Sequence, residues 1–222
     1  RPDYIFHLAQ YGGQKGQDDI DQVIVTNIFN TYLLLKYSEQ LPYQAFVYVG
    51  SSSEYGKKEK AMKETDLLEP DTPYAVSKAC GHLLTRMFVK PIVTVRPFSV
   101  FGEGEREGRF IPQVVSHLKS GEPIEISPLP RHDWMYVRDV AEAIVKVAEN
   151  AGGLIHKIVN IGSGRQYTNL EIIRMLEKIS GRKLNFTQVG KQKPQDSDYW
   201  ISNNSVLKSL GFEEVYGLRC GL

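Results

Sequence analysis

The sequence has few cysteines and no long apolar run, and these absences exclude several classes of protein. Cys80 and Cys220 are its only cysteines. They lie far apart and outside any CxxC pattern, so the sequence indicates neither a disulfide framework nor a structural metal site. No apolar segment approaches the ~18 residues of a membrane span, and no signal-peptide pattern opens the chain. We therefore expect a cytoplasmic protein with free thiols, no metal and no membrane partner.

Charge of one sign is not in excess either. The 222 residues include 27 lysines and arginines and 26 aspartates and glutamates, for a net charge of +1. These charges are spread along the chain and form no basic face, so we expect no nucleic-acid partner. The length suffices for one full core with a small lobe attached.

Short apolar runs alternate with longer segments of helical periodicity, which predicts an α/β fold with a doubly wound parallel sheet. The predicted strands cover residues 4–9, 45–49, 92–95, 124–126 and 157–161. The predicted helices cover residues 18–41, 73–89, 111–119, 139–149 and 170–179, and a polar, irregular tail follows. Thr72 and Pro73 are typical of a helix start. A helix that reached Val89 would leave only two residues before the next strand, which suggests that a few residues are missing there.

The sharpest chemical feature is the pair Tyr74 and Lys78. A spacing of four on a helix puts both side chains on one face. A nearby ammonium is expected to lower the pKa of the phenol, which makes Tyr74 a usable general acid or base for a sugar hydroxyl. The YxxxK pattern alone is common by chance.

A serine-rich turn strengthens the interpretation of this pair. Residues 50–56 read GSSSEYG and follow a predicted strand. Ligands of open α/β sheets bind beyond the carboxyl ends of the strands, so a serine hydroxyl there could bond the same substrate oxygen as Tyr74. The two motifs together are far more specific than either alone.

With these motifs, the chain resembles the extended short-chain dehydrogenase/reductase superfamily, in its NAD-dependent epimerase/dehydratase branch. The segments that carry the resemblance occur in order and run almost end to end. They are residues 7–9 (HLA), Asn27, residues 50–56, 73–78 (PYAVSK), 96–102 (RPFSVFG), 133–140 (DWMYVRDV), 160–164 (NIGSG) and 193–196 (KPQD).

The resemblance implies catalytic roles for Ser51, Tyr74 and Lys78, with Ser52 as a near rival of Ser51. It also implies NAD as the cofactor, with NADP possible. The residues expected to bind the cofactor are Ala9, Asn27, Tyr74, Lys78 and Pro97.

The implied substrate is a nucleotide-diphosphate sugar. Its expected contacts are Ser51, Ser52, Ser99, Arg131, His132, Lys193 and Asp196. Ser99 stands where the family has asparagine, and Lys193 stands where arginine is usual. Arg131 and His132 compete for the position of a phosphate-binding arginine. Each of these basic residues could equally be a solvated surface charge.

The family further implies a homodimer through the two long helices near residues 18–41 and 73–89. The stripe of Ile20, Ile24 and Ile28 could serve that interface. It could equally be buried within the monomer.

The serine-rich turn lacks acidic residues directly after its expected catalytic hydroxyl, and this narrows the choice of reaction type. In the 4,6-dehydratases of this branch, acidic residues follow the catalytic hydroxyl, whereas this chain has Ser52 and Ser53 there. A dehydratase is therefore disfavoured, and an epimerase or 4-ketoreductase is expected. The alternative is a non-catalytic module that only binds sugar nucleotides.

The family's glycine-rich turn, GxxGxxG, is absent from residues 1–50. We therefore expect a Rossmann-like fold that lacks its first βαβ unit, in either an incomplete sequence or a shortened protein. The start without methionine favours an incomplete sequence or a processed fragment. Residues 1–101 and 132–163 are predicted to form the cofactor-binding part. Residues 102–131 and 164–222 are predicted to form a small, mainly C-terminal substrate-binding lobe.

Overall fold

The computed structural model of the protein describes residues 2–14, 16–190, 197 and 199–222. Strands and helices alternate through most of this range. In chain order the elements are β1 (Tyr4–His7), α1 (Ile20–Ile24), α2 (Asn30–Ser38), β2 (Ala45–Val49), α3 (Pro73–Thr85), β3 (Ile92–Pro97), β4 (Ser99–Phe101), α4 (Phe110–Ser120), β5 (Ile124–Ile126), β6 (Arg131–His132), β7 (Trp134–Tyr136), α5 (Val137–Glu149), β8 (Ile158–Ile161), β9 (Tyr167–Thr168), α6 (Asn169–Ser180), β10 (Phe186–Gln188), α7 (Ser205–Ser209) and α8 (Gly217–Gly221).

The central sheet is parallel and has helices on both faces, which confirms the predicted fold class. Its strand order is β1-β2-β3-β8. Successive side chains of β2 point to opposite faces. Ala45 and Val47 pack in one cluster with Val140 and Val147 of α5. Phe46 and Tyr48 pack in another cluster with Leu35 of α2.

The helix over residues 20–38 is interrupted by a π-helical turn at Val25–Phe29. This turn contains Asn27, which is buried. The buried positions of this region are Val23, Asn27, Thr31, Leu35 and Ser38. The predicted stripe does not face the core, because Ile20 and Ile24 are 54% and 47% exposed.

Helix α3 starts where the sequence predicts. Thr72 caps it by accepting a hydrogen bond from the Ala75 backbone N–H at 3.1 Å, and Pro73 occupies the first turn. The helix ends at Thr85 instead of near Val89. Residues 86–91 then connect it to β3, which is an ordinary length for such a loop and removes the reason for expecting missing residues at this connection.

Three small sheets lie beyond the central one. Strands β4 and β7 pair in parallel, as do β5 and β10, whereas β6 and β9 are antiparallel. Helices α4 and α6 pack beside them through Val114 and Ile173, among other residues. The predicted irregular tail was partly wrong, because it contains α7 and α8.

Asp133 ties these outer segments to the end of the central sheet. Its carboxylate accepts five hydrogen bonds from backbone and hydroxyl groups of Ser163, Gly164 and Ser202. Ser163 and Gly164 follow β8 directly, and Ser202 lies in the segment before α7. One buried carboxylate thus fixes three chain segments at the strand ends.

Across the part of the chain that the structure describes, none of the helices has the length and apolar character needed to cross a bilayer.

Candidate active site

A cleft of about 1060 Å³ opens at the carboxyl ends of β1, β2 and β3. Its wall includes residues that follow each strand, such as Gln10 after β1 and Ser51 after β2. Pro97, at the end of β3, also lines it. This edge of a parallel sheet is where open α/β folds bind ligands.

The serine turn enters this cleft as a short 3₁₀ helix, Ser52–Tyr55. Ser51 caps it: the hydroxyl oxygen accepts a hydrogen bond from the Ser53 N–H at 3.1 Å, and the Glu54 side chain accepts one from the Ser51 N–H. This capping box fixes the Ser51 side chain at the cleft wall.

Tyr74 meets Ser51 across the cleft. Both side chains line the cleft, and the Ser51 side chain lies near enough to the phenol to lower its pKa, so a hydroxyl and a phenol come together as the sequence predicts. Burial raises the pKa of Tyr74, while the Ser51 side chain and the charge of Arg109 act in the opposite direction. The expected lowering of the Tyr74 pKa by Lys78 was therefore wrong for this structure.

Lys78 is buried one helical turn after Tyr74. Its ammonium donates a hydrogen bond to the Val49 carbonyl at 2.5 Å and lies over the Tyr48 ring, 5.0 Å from its centroid. Burial lowers the pKa of Lys78 to about 8, and the charge of Glu54 opposes this effect. Lys78 therefore carries its proton at neutral pH and lines the cleft.

The loop after β1 passes directly over Tyr74. A Cβ on Gly13 would lie 3.2 Å from the Tyr74 ring, and a Cβ on Gly12 would lie 2.6 Å from Val23. Gly12 also has a φ of +93°, which side-chain-bearing residues rarely adopt. Glycine at both positions is what allows the backbone to approach the phenol so closely.

The residues predicted to bind the cofactor divide into two groups. Tyr74, Lys78 and Pro97 line the cleft. Ala9 is exposed and does not line it, although its neighbours Leu8 and Gln10 do.

Asn27 does not line the cleft either, because its amide is used inside the protein. The Nδ2 atom donates to the Tyr11 carbonyl at 2.7 Å and to Ser77 Oγ at 2.8 Å, and Oδ1 accepts from the Tyr11 N–H at 2.8 Å. Its contact with the cofactor therefore stays a prediction. Through these bonds Asn27 links the loop after β1 to helix α3, which carries Tyr74 and Lys78.

The predicted substrate residues that the structure describes lie together in the cleft. Ser51, Ser52, Ser99, Arg131 and His132 all line it. Ser99 Oγ and His132 Nδ1 are 3.3 Å apart and hydrogen-bonded. Of the two candidates for the phosphate-binding position, His132 is therefore the one that bonds Ser99, which stands where the family has asparagine. Lys193 and Asp196 lie outside the described residues.

Further polar residues of the cleft escaped the sequence analysis. Among the described residues, the structure has nine buried side-chain atoms without a hydrogen-bond partner, and six of them belong to cleft residues. These six atoms are Gln10 Oε1, Gln14 Oε1, Glu105 Oε2, Ser127 Oγ, Trp134 Nε1 and Asn169 Oδ1. Buried polar atoms are nearly always hydrogen-bonded, so this concentration marks where a polar ligand belongs. No local sequence pattern around these residues predicts that they belong to the cleft.

Arg109 is a second residue that the sequence analysis missed. It lines the cleft, lies close enough to Tyr74 to influence its pKa, and pairs with Glu105 at 3.3 Å. Within the described ranges, no group of three or more histidine, cysteine, aspartate or glutamate side chains is arranged to hold a metal ion.

The comparisons with known proteins agree with this arrangement. The profile described as NAD dependent epimerase/dehydratase family matches residues 1–162. An uncharacterized UDP-glucose epimerase, YtcB of Bacillus subtilis (strain 168), is 28% identical over 99% of this chain and 72% of its own length. A dTDP-glucose 4,6-dehydratase of Streptomyces niveus is 26% identical over 89% of this chain, which spans 60% of that relative.

Among solved structures, the UDP-glucuronic acid 4-epimerase of Bacillus cereus, in complex with UDP-glucuronic acid and NAD, superposes with a TM-score of 0.90. It is 28% identical, and the alignment covers 99% of this chain and 72% of that one. The protein MoeE5, in complex with UDP-glucose and NAD, superposes with a TM-score of 0.88 at 26% identity.

Proposed function

The chain belongs to the NAD-dependent epimerase/dehydratase family, and from this premise we propose that it carries the active site of a nicotinamide-dependent nucleotide-sugar epimerase or 4-ketoreductase. The observation that carries the proposal is that Ser51 and Tyr74 lie next to each other in the cleft, with Lys78 buried one turn further along the helix of Tyr74. This trio lies at the strand ends, in a cleft that holds most of the buried atoms lacking a partner.

The proposed cofactor is NAD, with NADP possible, and the residues of the cleft fit its nicotinamide end. When bound, the nicotinamide supplies or accepts the hydride at the reacting sugar carbon. Lys78 uses one N–H on Val49 and retains others that could hold ribose hydroxyls. The unpartnered Oε1 atoms of Gln10 and Gln14 offer further acceptors on the same wall.

In the proposed reaction, Tyr74 moves the proton at the sugar oxygen. Ser51 bonds that oxygen and the phenol, which holds both at hydrogen-bond distance for the transfer. In this scheme the Lys78 ammonium lines the same cleft and holds the ribose of the cofactor. The side chains thus perform the acid–base half of an oxidation or reduction.

A dehydratase is disfavoured by the charge of the cleft wall beside Ser51. Ser52 and Ser53, which follow the proposed catalytic serine, line the cleft and carry no carboxylate. Glu54, the acidic residue of this turn, is fully buried and bonded to Arg96, so it cannot reach a sugar carbon.

The nucleotide-diphosphate sugar is proposed to extend from Ser51 toward Arg131 and His132, which line the same cleft. Relatives crystallised with UDP-sugars support a uridine nucleotide. In this scheme residues 1–101 and 132–163 hold the cofactor, and residues 102–131 and 164–222 hold the substrate. Lys193 and Asp196 keep their proposed substrate role, and the proposed location is cytoplasmic.

A homodimer is also part of the proposal. Helices α1 and α2 pack beside α3, and all three leave large apolar side chains exposed. On α3 these include Val76 and Leu83, and on the neighbouring helix they include Ile24 and Phe29. Such a face fits a second copy of the chain, because exposed apolar patches of this kind mark protein interfaces.

Substitution of Tyr74 by phenylalanine tests the proposed chemistry. Tyr74→Phe removes the proton-transferring oxygen and keeps the ring, so turnover of UDP-sugars with NAD is expected to fall by about 10³-fold. The measurement is product formation by chromatography, with circular dichroism to verify the fold. Tyr136→Phe removes a hydroxyl that is bonded to Glu103 outside the cleft and should leave turnover unchanged. Turnover like that of the wild type in Tyr74→Phe would refute the mechanism.

A further inference from the structure

A charged pair is fully buried beneath the serine turn. The guanidinium of Arg96, on β3, donates a hydrogen bond from Nε to Glu54 Oε2 at 2.8 Å, and its Nη2 lies 2.8 Å from the same oxygen. Both side chains have 0% exposure. The guanidinium also lies over the Tyr55 ring, 4.5 Å from its centroid. The pair is costly to bury, and its contacts are the Nε–H bond to Glu54 and the Tyr55 ring, while Nη1 and Nη2 make no hydrogen bond to the described residues.

The second oxygen of this carboxylate points to the proposed catalytic serine. Glu54 Oε1 accepts a hydrogen bond from the Ser51 N–H at 2.8 Å. Residue 50 must be small for this contact, since a Cβ on Gly50 would lie 2.2 Å from Glu54 Oε1. The Ser51 backbone is therefore clamped by a carboxylate that Arg96 holds from the other side.

The same carboxylate acts electrostatically on Tyr74 and Lys78. Its negative charge raises the pKa of Lys78 and that of Tyr74. The other groups near Glu54 are Tyr48 on β2 and Tyr55 on the turn itself. Of all these groups, Arg96 and Lys78 are the cations that act on the Glu54 carboxylate.

We propose that Glu54, anchored by Arg96, is a positioning residue that fixes Ser51 and supplies a buried negative charge to the Tyr74–Lys78 pair. The proposal rests on the proposed function of these three residues and adds a group that touches neither substrate nor cofactor. The carboxylate stabilises the ammonium of Lys78, so Lys78 stays protonated at neutral pH. A merely structural ion pair would contribute to folding and leave the protonation of Lys78 unchanged.

The test follows the ionisation of Lys78 directly, without any substrate. Protein carrying ¹³C-labelled lysine is titrated by NMR, and the Lys78 signal is assigned by its loss in Lys78→Arg. In wild type the midpoint is expected at the depressed pKa of about 8. In Glu54→Gln it should fall by about half a pH unit or more, because the neutral amide no longer stabilises the ammonium.

A second variant separates this effect from misfolding. Glu54→Gln alone leaves the Arg96 charge buried without its partner, which threatens the fold. In the double variant Glu54→Gln, Arg96→Met, neither position is charged, and the carbonyl of the introduced amide can still accept from the Ser51 N–H. The double variant should show the same downward shift of the Lys78 midpoint with a native circular dichroism spectrum.

The matched control is Asp139→Asn. Asp139 is another fully buried carboxylate, which accepts hydrogen bonds from the N–H groups of Val215, Tyr216 and Gly217. Its loss should destabilise the protein and leave the Lys78 midpoint in place. An unchanged midpoint in the folded double variant, or an equal shift in Asp139→Asn, would overturn the proposal.

Turnover provides the second readout. In both Glu54 variants kcat should fall by roughly 10-fold to 100-fold with little change in KM, because a neutral amide holds the Ser51 N–H less firmly than a carboxylate, which impairs proton transfer more than binding. Absence of turnover in the wild-type protein would refute the proposed function and leave the titration result standing by itself. A shifted midpoint with normal kcat would refute the positioning of Ser51.

Discussion

The pKa values of Lys78 and Tyr74 are shifted by burial and, in part, shifted back by neighbouring charges. Burial lowers the pKa of Lys78 to about 8 and raises that of Tyr74, so each group favours its uncharged form more than it would in water. Near neutral pH the phenol still holds its proton, and so does the ammonium. We infer that the resting site is ready to donate a proton to a sugar oxygen, as a ketone reduction requires. In the oxidative direction the phenol must first lose its proton.

The pH dependence of the reaction should reveal this state of Lys78. Because its pKa is depressed to about 8, the ammonium is present below that pH and is lost as the pH rises through it. We expect kcat to decline above about pH 8, as measured by steady-state kinetics from pH 6 to 10. A rate that stays constant to pH 10 would show that the ammonium is not needed. Lys57, which lies outside the cleft, offers a control, since Lys57→Met should retain the same profile.

At the scale of secondary-structure elements, two buried histidines fasten helices to the central sheet. His82 of α3 is hydrogen-bonded to Thr94 of β3 at 3.0 Å, and His7 of β1 to Thr31 of α2 at 2.8 Å. Burial lowers the pKa of both histidines to about 4. They therefore remain neutral in the folded protein where histidines of an unfolded chain already carry charge.

Acid should consequently weaken these two attachments. Between pH 6.5 and about 4 the unfolded chain binds protons at His82 and His7 that the folded protein does not bind, so the free energy of unfolding falls as the pH is lowered through this window. We expect Tm, measured by calorimetry, to decrease from pH 7 to pH 4.5. His82→Gln should show a smaller decrease. His117→Gln, a change at a half-buried histidine of α4 that bonds the Glu122 carbonyl and does not contact the central sheet through that bond, should follow the wild-type curve.

Elements with strong local signals were predictable, and those that depend on distant pairing were not. Helices α4 and α6 were predicted to within one residue at each end, because their apolar periodicity is regular. Strands β6 and β9 escaped prediction, since two residues acquire strand geometry only when Arg131 pairs with Thr168. The π-helical turn at Val25–Phe29 adds a residue to one turn, and the fixed period assumed for Ile20 and Ile24 could not anticipate it.

The site residues likewise divide into those that the sequence predicts and those that only the fold reveals. Ser51, Tyr74 and Lys78 were found because each stands in a compact local motif, and the structure brings them together. Glu105 and Ser127 reach the cleft from segments without such a motif, so only the fold reveals them. The error about the Tyr74 pKa arose because spacing on a helix says nothing of burial.

For the whole molecule, the exposed apolar face of α1, α2 and α3 determines the expected assembly. Leu83 of α3 is one of its residues and is 53% exposed. Leu83→Asp should convert a dimer into a monomer in analytical ultracentrifugation, because two buried carboxylates would face each other across the symmetric interface. Leu67, 75% exposed in the loop before α3, gives the matched control, and Leu67→Asp should leave the mass unchanged. A monomeric wild type would disprove the proposed dimer.

The six cleft atoms without partners have a consequence for the lifetime of the protein in a cell. Each is a buried hydrogen-bonding atom to which a polar ligand can bond. A ligand that binds only the folded chain adds about 2.7 kcal/mol of stability when its free concentration is about 100 times its Kd. The supply of sugar nucleotide would then govern how often the chain opens to proteases, so that a cell short of substrate would also clear the enzyme faster.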